Sequence, residues 1–369
     1  MGKEFSMTPR AVAAVLLLSV TLARADAVDD VLSAEILKQH LPGISVAVVR
    51  DGQIIKTAAC GFADLELSVP VTPRTVFQIQ SITKTFTSAA ILLLAEEGKL
   101  SLDDPVAKYL EDTPASWTNI TIRHLLTHTS GIKDFINSPT RSLRLEVSEE
   151  DVLEATAPRS LIFQPGERYS YSNTNYHLLA MIIRKLTGKW YGDFLRERIF
   201  VPLGMTNTRP VSLSALVTNR ASGYVWTGKE YRKGTFIAES VLSYGGGGIL
   251  STAPDMALWA EALMAGKILK PESLAQAWTP ARLNNGTNSS YGLGWGIGRV
   301  EGHREMQHSG GHATGFTSFL AIYPDDRLAV VVLLNRNGAD PGSIARRIAG
   351  IYILKLTPRP EKPAEGKKP

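Results

Sequence analysis

The strand-forming runs of this chain sit at its two ends, and that placement limits the folds open to it. Near the N-terminus Gly43 to Val49 (GISVAVV) is rich in β-branched residues, and Asp51-Gly52 separates it from Gln53 to Thr57. Asp-Gly between two such runs predicts a tight hairpin, because both turn positions need positive φ. Near the C-terminus Thr317 to Tyr323, the turn Pro324-Asp325-Asp326 and Leu328 to Leu334 repeat the pattern. Ser343 to Leu356 follows with apolar residues at helical spacing. Helical stretches fill the interval: Ile82–Glu97, Ile122–Leu126, Glu149–Ala155, Tyr176–Leu186 and Asp255–Met264. The pattern predicts an α+β fold with one antiparallel sheet formed from both chain ends. A mainly helical subdomain would be inserted within about residues 100–300.

Composition narrows the class. The chain has 369 residues, 44% hydrophobic and 20% charged, which excludes wholesale disorder. Its one cysteine, Cys60, excludes an intrachain disulfide and a cysteine-rich zinc framework; at the end of a strand run it is expected to be a buried small hydrophobe. Lys3 and Arg10, the apolar run Ala11 to Ala23 and the small residues of Ala23-Arg24-Ala25 read as a cleaved signal peptide over residues 1–25. That run falls short of the roughly 20 residues needed to span a bilayer. The expected location is therefore secreted or periplasmic, with no stable membrane span after cleavage. Residues 26–357 would form the working domain, and the basic, Pro-rich segment 358–369 a disordered tail. The net charge of +5 lies mostly in that leader and tail, so the body is nearly neutral and nucleic-acid binding finds no support.

Three short motifs can carry chemistry. In Ser81-Ile82-Thr83-Lys84 the serine is expected at a helix N-cap, with the lysine three residues on over the same face. A stabilising capping box would put Glu or Gln there; lysine instead opposes the helix dipole. Its apolar surroundings predict burial, which further disfavours the ammonium and suits a general base near neutrality. A serine within reach of such an amine can be deprotonated for attack. Tyr171-Ser172-Asn173 precedes the next helix, where Asn173 or Thr174 could equally be a cap and Tyr171 a core residue. His308-Ser309-Gly310-Gly311 lies before a strand, where glycines allow close approach of backbone N–H groups to a ligand.

In this order the three motifs resemble the penicillin-recognising serine hydrolases, above all the class C β-lactamase family with its D-aminopeptidase, D,D-carboxypeptidase and esterase relatives. Phe77-Gln78-Ile79-Gln80, Ile122 to Gly131, Phe163-Gln164-Pro165-Gly166, Pro202-Leu203-Gly204-Met205, Gly247 to Thr252 and Tyr291 to Gly296 extend the likeness from about Ile44 to Leu356. The resemblance implies an αβα sandwich, its antiparallel sheet flanked by helices, in which Ser81 attacks an acyl carbonyl while Lys84 and Tyr171 share its proton. The backbone N–H groups of Ser81 and Gly311 would hold the oxyanion. Asn173 would bind a substrate amide or support Lys84, and neither a metal nor an organic cofactor is required.

One departure shifts the expected substrate. Lactamase and penicillin-binding relatives usually carry Lys-Thr-Gly where this chain has His308-Ser309-Gly310. A permanent cation suits a substrate carboxylate, whereas histidine is mostly neutral at pH 7. The expectation is hydrolysis of small-molecule esters or D-amino-acid peptides, with β-lactams or cell-wall peptides as the alternative substrates and a non-catalytic peptidoglycan-fragment sensor as the rival class. His124 and His128 stand at zinc-helix spacing, but Leu125 occupies the place of the catalytic glutamate. The resemblance makes the two histidines structural. Gly245 to Gly248 lacks the Lys-Ser/Thr pair of a phosphate loop and reads as a turn near the cleft. No Gly-x-Ser-x-Gly is present, which disfavours an α/β-hydrolase.

Overall fold

The computed structural model describes residues 27–135, 144–146, 148–156, 160–242 and 245–353. The expected leader and tail lie outside them. A seven-stranded antiparallel sheet forms from both ends of the chain. Its strands are β1 (Gly43–Arg50), β2 (Gln53–Asp64), β3 (Val69–Pro70), β4 (Gly296–Val300), β5 (His303–His312), β6 (Phe316–Tyr323) and β7 (Leu328–Leu334). Their order across the sheet is β3-β2-β1-β7-β6-β5-β4. Asp51 and Gly52 turn β1 into β2 with φ of 53° and 77°, as the hairpin signal requires. The first and last long strands meet at the centre, with Val46 opposite Val332.

Strand β7 is buried along its whole length, because both of its faces are covered. On one face Val330 and Val332 pack with Leu32 of helix α1 (27–38) and with Ile344 and Ile348 of the C-terminal helix Pro341–Tyr352. On the other, Val331 and Leu333 join a larger core with helices α2 (Thr83–Glu96), α3 (Ile122–Leu126), α4 (Asn173–Thr187) and α5 (Ala253–Met264); the C-terminal helix is α6. Three layers result, α1 and α6, the sheet, then α2 to α5. Helix α2 lies deepest, buried from Thr83 to Leu94.

The local expectations need four corrections. Ser81 is not the N-cap of α2: it sits one step earlier, in the 3-10 turn Gln80–Ile82, and Ile82 precedes the helix without a side-chain cap. Similarly, Ser172 rather than Asn173 or Thr174 stands before α4. The segment His308 to Gly311 is not a turn but the interior of β5, paired residue by residue with β6. Partner strand β4 covers only His303 to Gln307, so beyond that point the other edge of β5 is not laddered by β4. Cys60 does not end its strand, which runs on to Asp64, and it is half-buried rather than buried.

Candidate active site

The site gathers where the entry to α2, the start of α4 and the unladdered part of β5 converge. Phe77–Gln78 pairs with Ile249–Ser251 and delivers the chain to Ile79, whose N–H donates to the Ile249 carbonyl (3.0 Å). The Ile79 carbonyl accepts from the Ser318 hydroxyl of β6 (2.7 Å), which straps the segment to the sheet. Gln80 then takes φ = 51°, a left-handed value that costs a residue with a Cβ about 1 kcal/mol. Strain of this kind persists only where its surroundings impose it.

Ser81 follows, partly exposed in a cleft of about 440 Å³ that Asn173, Gly246, Gly247, Gly311 and His312 also line. Phe135, His177 and Val241 form its less polar wall. Lys84, one turn on and wholly buried, points its Nζ at three oxygens: Gly246 O at 2.6 Å, Asn173 Oδ1 at 2.9 Å and Ser81 Oγ at 3.3 Å. The Tyr171 ring lies 4.8 Å from that nitrogen, and its hydroxyl is close enough to Ser81 to feel it. Although Tyr171 exposes 37% of its surface, its phenol end lies in dense protein, and desolvation pushes its pKa up.

Burial brings the Lys84 pKa down to about 7, with the Asp134 carboxylate pulling the other way. Asp134 acts through a defined contact: the Asn173 amide donates to it (3.0 Å) while its carbonyl oxygen accepts from Lys84. An acceptor-only carboxylate on one side and a donor on the other fix the orientation of that amide.

Histidines surround the lysine as neutral groups. His308 is buried, brought down to about 3 by desolvation and by Lys84. Its Nδ1–H donates to the Ser309 carbonyl (2.7 Å), so Nε2 accepts from the Tyr291 hydroxyl (2.8 Å). Both ring nitrogens are thus engaged within the protein, and His308, expected at the substrate, does not line the cleft, whereas His312 two residues along the strand does. His128 and His312 are likewise lowered, first by burial and then by Lys84. His128 Nδ1 accepts the Ser172 N–H (3.2 Å) beneath the Tyr171 ring, centroids 4.3 Å apart. His124 Nδ1 accepts the Thr121 N–H (3.2 Å) in a reciprocal cap of α3. The structure therefore brings Ser81, Lys84, Tyr171, Asn173 and Gly311 together. Sequence reasoning missed Asp134 and gave no role to Gln80 and Tyr291, although both lie in segments that carry the family likeness, whereas Gly246 lies in the glycine run already expected near the cleft.

A three-layer sandwich with Ser-x-x-Lys at the head of its buried central helix, facing Tyr-x-Asn, defines the penicillin-recognising class of serine proteins. The Beta-lactamase family model matches residues 24–353. Penicillin-binding protein 4* of Bacillus subtilis is 31% identical over 90% of this chain and 77% of its own length. Among solved structures, the D-amino acid amidase of Ochrobactrum anthropi SV3 superposes with a TM-score of 0.77 at 26% identity, covering 89% of this chain and 98% of that one. A penicillin-binding protein from Bacillus halodurans gives 0.77 at 25%, covering 87% and 99%. The chain belongs to the β-lactamase family.

Proposed function

We propose that this chain is an exported serine hydrolase that cleaves an acyl ester or amide through an acyl-enzyme at Ser81, in the manner of an esterase or D-aminoacyl peptidase. The carrying observation is the set of contacts at Lys84 Nζ. A neutral amine has two protons and one lone pair. Two of its three neighbours, Gly246 O and Asn173 Oδ1, can only accept, and they take the two protons at the shorter distances. The lone pair is left for the Ser81 hydroxyl, and a pKa of about 7 keeps the neutral form populated near neutrality.

In the forward step the Ser81 oxygen bonds to the acyl carbon as its proton passes to Lys84. The carbonyl electron pair moves onto oxygen, where the N–H groups of Ser81 and Gly311 stabilise it. Collapse expels the leaving group, which takes a proton from the Lys84–Tyr171 pair. Water then repeats the sequence on the acyl-enzyme. Among the described residues no lysine or arginine lines the cleft, and His308 is held neutral, which favours acyl groups without a carboxylate.

The penicillin-binding relatives supply a second reading, action on β-lactams or cell-wall peptides. One panel separates the two: a p-nitrophenyl ester, a chromogenic cephalosporin, a D-alanyl-D-alanine peptide and a D-aminoacyl anilide, with Ser81→Ala as blank. Ester or anilide turnover above cephalosporin turnover is expected; the reverse order overturns the preference, and no turnover of any substrate overturns the hydrolase reading.

A further inference from the structure

Gln80 holds a polar atom that the chemistry above does not use. The residue is 3% exposed, lines the cleft beside Ser81, and keeps its left-handed backbone. Its amide nitrogen donates to Gln78 Oε1 (2.8 Å) and to Thr314 Oγ1 (2.8 Å). The Thr314 hydroxyl sends its own proton to Gln78 Oε1 (2.9 Å), so it meets Gln80 with a lone pair. Both amide protons of Gln80 are committed, and the triangle holds the side chain in one orientation. Its Oε1 has no hydrogen-bond donor among the described residues. It faces the cleft wall, since a methyl group built on Gly247 would lie 3.9 Å away.

We propose that Gln80 Oε1 is a specificity-determining acceptor that selects acyl groups carrying an N–H close to the scissile carbonyl, as aminoacyl and N-acylaminoacyl groups do. In the free cleft solvent still reaches this oxygen; an acyl group seated over it removes that water, and a bound N–H makes the loss good. An acyl group lacking that N–H leaves the acceptor unpaired, and sites built this way discriminate more sharply than apolar pockets. Asn173 does not offer an equivalent acceptor, because its carbonyl oxygen is held by Lys84. The proposal rests on Ser81 acylation and adds the chemical class of the acyl group.

The test compares kcat/KM for the methyl esters of D-alanine, L-alanine and propionic acid, which share a leaving group and differ in the amino group. The wild-type protein should prefer at least one alanine ester over propionate by about five- to tenfold, the worth of one neutral hydrogen bond. Gln80→Met should erase that preference by lowering kcat/KM for the preferred alanine ester more than for methyl propionate. Thr314→Val leaves Oε1 in place but frees the amide to turn, and should give an intermediate preference. Equal losses on all three esters in Gln80→Met, or an undiminished preference, overturn the proposal while leaving Ser81 chemistry standing. Failure of the wild-type protein to hydrolyse any of them, with Ser81 unmodified by ester, overturns the hydrolase reading and this proposal with it.

Discussion

Two ionisable groups lie buried on opposite faces of the same sheet, and the protein treats them differently. On the α6 face the Glu305 carboxylate is 3% exposed and fully partnered. Arg346 meets it with two charge-assisted bonds (3.0 and 2.7 Å), and Tyr323 donates a third (2.7 Å). On the α2 face Lys84 is just as deep, yet each of its contacts is a neutral oxygen. The Asp134 carboxylate, whose charge acts on it, bonds to Asn173 rather than to the ammonium. The paired site holds its charge as structure. The under-paired site leaves a proton loosely bound, which a core has no use for and a proton-transfer site requires.

That contrast can be broken from either side. The largest effects belong to the α2 face: Ser81→Ala and Lys84→Met should each lower kcat/KM for the best ester by about 10³-fold or more, read from initial rates. Lys84→Met should at the same time raise the thermal midpoint at pH 7, because an apolar side chain of similar size removes a buried cation. The sign follows from linkage. The folded state holds Lys84 at about 7 and the unfolded chain near 10.4, so the unfolded state binds more protons between those values. Wild-type stability therefore rises from pH 7 toward pH 10, and its deficit against Lys84→Met should narrow over that window in scanning calorimetry.

Next in size comes the opposite manipulation. Arg346→Met strands the Glu305 carboxylate with Tyr323 alone and should cost about 3 kcal/mol in urea unfolding, with kcat little changed. A variant that loses activity but not stability would tie the two faces together and undo the contrast. Smaller still is the effect of a second charge beside the lysine. His308→Lys should move the acid limb of kcat/KM below that of wild type and improve carboxylate-bearing substrates relative to esters by a few fold. An unmoved limb would mean that this position does not influence Lys84.

Much of this arrangement was legible in the chain because it is local. The β-branched runs with their turns placed four long strands, and the spacing of Ser81 and Lys84 on one helical turn placed an amine beside a hydroxyl. Strand β5 was not legible: its Gln307 to His312 stretch contains no β-branched residue, and pairing with β6 overrides its weak propensity. The Ser81 N-cap failed for a different reason, since the left-handed Gln80 turns the chain one residue earlier than the helix signal suggests. Gln80, Asp134 and Tyr291 escaped because their contacts with Thr314, Asn173 and His308 are made by the tertiary fold. Read from sequence, His308 was expected to be mostly neutral because its ordinary pKa lies below 7. Burial and the neighbouring lysine take it much further, to about 3.

The proton affinity of Lys84 is best measured directly, by following the ¹³Cε resonances of isotopically labelled lysines in the folded protein against pH. One resonance should titrate with a midpoint near 7, far below the ordinary lysine value of about 10.4, and vanish in Lys84→Met. A Lys84 signal that moves together with the exposed lysines would contradict a neutral amine poised beside Ser81.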